Sequence, residues 1–519
     1  MRKISSITQN LFYLISNELN NFTNYLNNIL NSNENLKIKN FLILFFTLSF
    51  FFLFFFVIYG LKIRLFNPIF EDDFHILSLE ISDISKIVNS PRPVGYILVA
   101  ITNLFPINFV YPFYFLFILL NISLSIFVIS YFLKINKKYF NIYIVLCSLI
   151  SCTFYEYFIS FKHIRAAGIF SCLFFYLNLI LLFQIFKIKN KYIIFTLFVL
   201  VGCLFTLSIF SKEDFFLANI LSFLVFILYA WKKRDNYKFY FLLSILLLVT
   251  FFWLYINFAY YQNPFISGGG GEDDNYEKNL SFLSIIFSYG IYLLYFKPSS
   301  FYFIYLIFLI VILKKNRNLI KNSIVFYLLI FLIIFPFSLL HKKFITEYIM
   351  QWLPIITGLV AFYSIKILSE KNITKISNLL IACSFIVIIV YASTITKTKI
   401  DRLNKQLIKS SNYIPSIKKN VRIIKKYNLI KVDLMGEGDV PNPWYRQTGH
   451  WFKRELDLHN KWYVFTNEES KLYLVKDDFH YDEKKHNSKI KILSRSLIDE
   501  YQGLTMKFDN QGNLIELVE

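Results

Sequence analysis

The sequence predicts an all-α polytopic membrane protein of about eleven spanning helices, followed by a small α+β domain outside the membrane. Three observations predict this. Hydrophobic residues make up 56% of the chain and charged residues only 17%, with a mean hydropathy of +0.49. Soluble proteins carry roughly 25% charged residues, because their surface must stay wet. The apolar residues also gather in long uncharged blocks rather than at amphipathic spacing, and a bilayer core takes about 20 such residues per helix. Beyond 396 the blocks stop and short β-rich runs begin.

Uncharged runs occupy 40–61, 93–133, 139–155, 166–186, 192–211, 215–231, 239–271, 279–296, 298–313, 322–341, 348–365 and 376–396. The first starts only after a polar segment and lacks a small-residue cleavage site, so it reads as a retained span, not a secretory signal. That segment, 1–39, places Leu11, Leu14, Ile15, Phe22, Leu26 and Ile29 on one helical face over 5–30, with Asn opposite. Such a helix lies on a membrane surface. The run 93–133 is too long for one span, and Pro93, Asn103, Pro106 and Pro112 interrupt its first part. Residues 94–105 are therefore expected to form a short surface helix and 107–133 the span. The run 279–296 reads as a surface helix, since a span there would put Lys314, Lys315, Arg317 and Lys321 outside.

With the N-terminus in the cytoplasm, the inside segments are 1–39, 134–138, 187–191, 232–238, 314–321 and 366–375. Their acidic residues are only Glu18, Glu34, Asp235 and Glu370, against many Lys and Arg. This is the positive-inside bias. It also accounts for the net charge of +21 without a nucleic-acid partner. Cys147, Cys152, Cys172, Cys203 and Cys383 all lie in apolar runs without metal-ligand spacing, so neither a disulfide framework nor a zinc site is read.

The membrane domain then spans 40–396, with no internal repeat, which speaks against inverted-repeat transporters. Its loop 262–278 carries Gly268 to Gly271 ahead of Glu272, Asp273 and Asp274, and four glycines permit almost any backbone path. The remaining domain, 397–519, opens with a basic helix-like stretch at 401–427. Strand-like runs follow at Ile430–Met435, Trp462–Thr466, Lys471–Val475 and Lys489–Leu493, separated by turn signals at 436–439 and 509–512. Trp444, Tyr445, Arg446, His450 and Trp451 within it read as a small core, or as a platform for sugars.

Chemistry gathers in the outer loops. Glu71, Asp72 and Asp73 follow the first span in a row, with His75 nearby. Three adjacent carboxylates repel one another. They form either a solvated acidic loop or a catalytic cluster, in which one acts as general base and a neighbour tunes it or helps hold a divalent cation. Arg92, stiffened between Pro91 and Pro93, could pair with them or fork a phosphate. Lys212, Glu213 and Asp214 sit between two spans: a tight charged turn, or a phosphate contact with carboxylates ordering the site. Lys162, His163 and Arg165 run against the positive-inside bias. They fit an anionic partner or a pairing with Glu156. His341, Lys342 and Lys343, near Glu347 and Tyr348, form a second basic outer cluster.

An acidic pair just after the first span, Asp72-Asp73, then Arg92-Pro93 before the next apolar stretch, resembles the polytopic glycosyltransferases of the GT-C fold. The pattern is similar to that of the bacterial glucosyltransferases which decorate surface polysaccharide. The resemblance covers the membrane body. It implies a polyprenyl-phosphate-linked sugar donor, a glycan, lipid or protein acceptor, and reaction on the outer face of the membrane. It makes Asp72 the general base and Asp73 its partner, and it leaves the divalent cation open. Separately, enrichment in Phe, Ile, Asn and Lys suggests an AT-rich genome and hence a prokaryotic plasma membrane, and eleven spans from a cytoplasmic N-terminus put the C-terminal domain outside the cytoplasm. Two other classes fit many spans: a transporter or flippase for a lipid-linked glycan, and a noncatalytic envelope-assembly protein.

Overall fold

The computed structural model describes residues 38–61, 92–105, 107–160, 166–212, 215–261, 282–295, 297–312, 326–334, 351–369, 375–427, 429–434, 462–466, 472–476, 490–493, 504–509, 511 and 513–518. Helices α1 (Ile38–Tyr59), α2 (Pro93–Thr102), α3 (Ile107–Phe132), α4 (Lys137–Ser151), α5 (Tyr155–Ser160), α6 (Ala166–Lys187), α7 (Lys191–Ser211), α8 (Phe216–Lys232) and α9 (Asn236–Tyr261) come first. Then follow α10 (Phe282–Gly290), a π-helical turn (Ile291–Tyr295), α11 (Ser299–Ile312), a helical segment at 326–334, α12 (Leu353–Ser369), α13 (Lys375–Lys419) and α14 (Val421–Ile424).

Among the described residues, α1, α3, α6, α7, α9 and α13 are long and apolar enough to cross a membrane. The apolar helices α2, α8 and α12 are shorter, and α10 with its π turn meets α11 at a bend of 98°. The chain is therefore an integral multi-pass membrane protein. The run 93–133 divides as its prolines predict, into α2 and α3. Asn136 and Asn190 accept backbone N–H bonds at the starts of α4 and α7, the role for which Asn is favoured at an N-cap.

The helices alternate between two ends of a bundle. Residues 59–60, 151–154, 166–171, 211–212, 302 and 351 share one end, where side-chain contacts join neighbouring helices. Tyr59 Oη donates to Cys152 O at 3.1 Å, and Thr153 Oγ1 lies 2.8 Å from Tyr302 Oη. Ser171 Oγ donates to Lys212 O at 3.0 Å. At the opposite end Lys187 lies over the Tyr131 ring and Lys238 over Phe186. Lys134, Lys137, Lys138, Lys189, Lys191, Lys232, Lys233 and Arg234 belong to the same end, and Asp235 is the acidic residue among its described turns. Three of the segments expected from charge to share a side, 134–138, 187–191 and 232–238, thus come together in space.

Aromatic edges fill the seams. Phe183 packs edge-on against Tyr131, Phe132 and Phe226 at centroid distances of 5.4, 4.5 and 5.1 Å. Such pairs add about 0.5–1.5 kcal/mol each beyond burial. At the centre stands α12, nearly all of it buried. Gly358 allows this. A Cβ there would lie 2.8 Å from Ile129 Cγ2 and 2.9 Å from Tyr143 Oη, both on buried side chains. Small residues let membrane helices approach closely where lipid gives no hydrophobic drive. Gly358→Ala is expected to destabilise by about 1–3 kcal/mol, read as a lower melting midpoint in detergent. Gly202→Ala serves as control: its new Cβ would meet Ile245 at 3.6 Å, an ordinary contact.

The expected domain boundary at 396 falls within α13, which runs unbroken for 45 residues. At 1.5 Å per residue it is about 67 Å long, twice the hydrocarbon core. Its middle grips the bundle: Thr396 Oγ1 donates to Thr153 O at 2.5 Å, and Asn404 Nδ2 to Gly60 O at 2.9 Å. Its far end meets a sheet of β1 (Leu429–Leu434), β2 (Trp462–Thr466), β3 (Leu472–Lys476), β4 (Ile490–Leu493), β5 (Leu504–Phe508) and β6 (Leu514–Val518). The order is β4-β3-β2-β1-β5-β6, with β1 parallel to β2 and β5 and the other pairs antiparallel. Leu504, Met506 and Phe508 alternate inward and join Ile417 and Ile424 in one core. Asn412 Nδ2 donates to Gln511 O at 2.9 Å. Asp509 Oδ1 accepts from the N–H groups of Gln511 and Asn513, closing the turn that the sequence marks at 509–512.

Candidate functional site

The site is built at the bundle end opposite the lysine-rich turns. The corner between α4 and α5 comes first. Tyr59, Tyr302 and Thr396 hold its carbonyl and hydroxyl groups, as above, so α5 starts from a fixed point. Glu156 lies in the first turn of α5 and is fully buried. A buried carboxylate must be paired, hydrogen-bonded or protonated. The sequence named Glu156 only as a partner for the basic residues at 162–165, and its burial was not legible there.

Lys212 comes next. It caps α7 in an extended conformation, at φ −165° and ψ 140°. Its side chain is only 7% exposed. It turns over the first turn of α6. A Cβ built on Gly168 would lie 3.7 Å from Lys212 Cδ, 3.8 Å from its Nζ and 3.2 Å from Gln351 Nε2. The bare backbone at Gly168 therefore leaves room for an ammonium and an amide side by side at a helix N-terminus. Such an end carries partial positive charge and unsatisfied N–H groups. Gln351 is 3% exposed and precedes Trp352, which is buried edge-on to Tyr292 at 5.8 Å. Sequence reasoning missed Gln351. It carries no charge and sits in an aromatic stretch, and neither spacing nor composition marks it.

Arg92 is half-buried at the start of α2, with Pro93 at the first helical position. Tyr96 N–H donates to its carbonyl at 3.1 Å. Helix α2 lies across α6 and α7, and Val94 packs on the cluster formed by α6, α7, α8 and α9. Arg92 and Lys212 thus belong to neighbouring elements.

Of the residues expected from sequence, Arg92 and Lys212 are described. Glu71, Asp72, Asp73, Lys162, His163, Arg165, Glu213, Asp214, His341, Lys342 and Tyr348 lie outside the described residues, as do Lys343, Trp444 and the Gly268–Gly271 loop. Several flank what is described. Residues 71–73 fall between Leu61 and Arg92, 162–165 between α5 and α6, and 213–214 directly after Lys212. Among the described residues no three His, Cys, Asp or Glu side chains gather as metal ligands.

No family model matches the chain, and no curated protein matches it. Among solved structures, ArnT from Cupriavidus metallidurans in the apo state is similar at a TM-score of 0.46 and 11% identity, over 82% of this chain and 93% of that chain.

Proposed function

We propose that the protein is a membrane glycosyltransferase of the GT-C type. It moves a sugar from a polyprenyl-phosphate carrier to a glycan, lipid or protein acceptor of the cell envelope, on the outer face of a prokaryotic plasma membrane. The observation that carries this reading is the buried Lys212, set with Gln351 over the bare first turn of α6, at the end away from the basic turns. A buried cation at a span end must face protein, water or a ligand rather than lipid, and so marks a candidate ion or substrate site. A helix N-terminus beside it favours phosphate.

In this mechanism the carrier's tail stays between helices and its phosphate meets Lys212, Gln351 and Arg92. Lys162, His163, Arg165, His341 and Lys342 are further candidates from sequence, and Tyr348 a contact for the sugar. Glu71, Glu213 and Asp214 order the site or a cation. Asp72 accepts the proton of the acceptor hydroxyl, supported by Asp73. The acceptor oxygen bonds to the anomeric carbon as the bond from that carbon to the phosphate oxygen breaks. The electron pair leaves with the phosphate, whose negative charge grows. Fixed cations favour that transition state over the ground state.

The test is transfer from a panel of radiolabelled polyprenyl-phosphate sugars in membranes that contain the protein. The expected result is label appearing in an envelope acceptor, and its absence in membranes lacking the chain. Label that crosses the bilayer still attached to its lipid would replace this reading with a flippase.

A further inference from the structure

The backbone of Lys212 is tied to three helices by one buried polar chain. Ser171 Oγ on α6 is shared between Ser208 O at 2.9 Å and Lys212 O at 3.0 Å. Ser208 Oγ on α7 donates back to Ser171 O at 3.0 Å. Asn219 Nδ2 on α8 donates to Ser208 Oγ at 3.1 Å and to Phe215 O at 2.9 Å. Asn178 Nδ2, two turns along α6, donates to Asn219 Oδ1 at 3.2 Å. All four side chains are fully buried.

Apolar groups would pack this seam without any polar satisfaction to arrange, and buried polar groups in a membrane helix are costly when left unmade. Yet the polar chain spans three helices and ends on the carbonyl of the one buried lysine among the described residues of this end. The last turn of α7 must also stop there, since Lys212 is already extended. Without an anchor, a residue at a frayed helix end samples many positions.

We infer that Asn178, Asn219, Ser208 and Ser171 form a positioning device that fixes Lys212 over the first turn of α6. Ser171 is its terminal member. This holds whatever Lys212 binds; it rests on the proposed function only for the identity of that anion. The rival role is plain helix adhesion, which would stabilise the bundle without singling out Lys212.

The test uses the full-length protein in detergent and a water-soluble amine-acylating reagent at fixed pH. Peptide mass spectrometry reads the modification rate of each lysine. In the wild type Lys212 should react slowly relative to the exposed Lys397. Ser171→Ala, which removes only the hydroxyl, should speed Lys212 about fivefold, the weight of one hydrogen bond. Asn219→Leu should act in the same direction, and Ser171→Thr, which keeps the hydroxyl, should stay near the wild-type rate. Ser222→Ala is the control, because that hydroxyl bonds only within α8, to Ala218 O. A wild-type rate at Lys212 in Ser171→Ala would overturn the inference. So would equal acceleration at Lys134 and Lys187 on the far end, which would mark simple adhesion. Should Asn219→Leu fail to fold, Ser171→Ala decides alone. Shielding of Lys212 by added polyprenyl monophosphate, in the wild type, tests the proposed ligand separately.

Discussion

Asp72→Asn is expected to reduce sugar transfer by about 10²–10⁴-fold, the range that a positioned general base contributes. That equals about 3–5 kcal/mol of barrier. The amide has the shape of the carboxylate but cannot take a proton from the acceptor hydroxyl. Binding of the donor does not involve that proton, so kcat should fall while KM for the polyprenyl-phosphate sugar stays close to its wild-type value. Asp72→Glu keeps the carboxylate on a longer stem and should retain part of the activity. Asp73→Asn should cost less, because its role is to tune its neighbour. Full transfer by Asp72→Asn, in membranes where the variant is inserted to the normal level, would remove the base assignment. Loss of wild-type transfer to a chelator, restored by a divalent cation, would instead make the pair cation ligands.

The membrane body was legible because lipid imposes a simple rule. Every backbone polar group must be satisfied inside its own helix, so the spans are long, apolar and uncharged. The division of 93–133 at Asn103 and Pro106 followed from the missing N–H of proline, and the fold has α2 and α3 on either side. Charge placed the turns at 134–138, 187–191 and 232–238 together, as the contacts of Lys187 and Lys238 bear out. The strands at 462–466 and 490–493 followed from short β-rich runs, expected at 462–466 and 489–493, between turn signals. Their pairing did not, since β1 sits between β2 and β5 only through long-range contacts. Likewise no local signal shows that Lys375 to Lys419 is one helix. The change from apolar to basic at 397 looks like a domain border, whereas the helical backbone is indifferent to it.

The site divides the same way. Charged residues at span ends stand out in a sequence with so few of them, which is why Arg92 and Lys212 are candidates from sequence alone. Uncharged partners do not stand out. Gln351, Ser171 and Asn219 look like ordinary tolerated polar residues, and only packing shows that they converge on one lysine. Gly358 and Gly168 show the same limit, because what a glycine admits depends on a neighbour far away in sequence. In one case that neighbour is Ile129, in the other Gln351.

Lys212→Met is expected to lower kcat/KM by about 10²–10³-fold, the usual cost of removing one preorganised group that meets developing charge. Methionine keeps the unbranched apolar stem that lies along Gly168, 3.7 Å from where a Cβ would stand, so the local packing survives and only the ammonium is lost. Two measurements separate this from misfolding. The melting midpoint in detergent should shift far less than in Gly358→Ala, whose added methyl group enters a closed seam. Binding of polyprenyl monophosphate should weaken in parallel with transfer. Lys212→Arg keeps the charge but must fit a broad planar fork where Gln351 Nε2 already approaches Gly168 closely. The two cations are not interchangeable in so confined a place, and partial activity is expected. If Lys212→Met transfers sugar at the wild-type rate, the ammonium has no part in stabilising the departing phosphate. Arg92 and the basic residues at 162–165 and 341–343 would then carry that role. If it loses transfer while still binding the carrier phosphate, the lysine acts on the charge that develops as the bond breaks, not on the charge already present in the ground state.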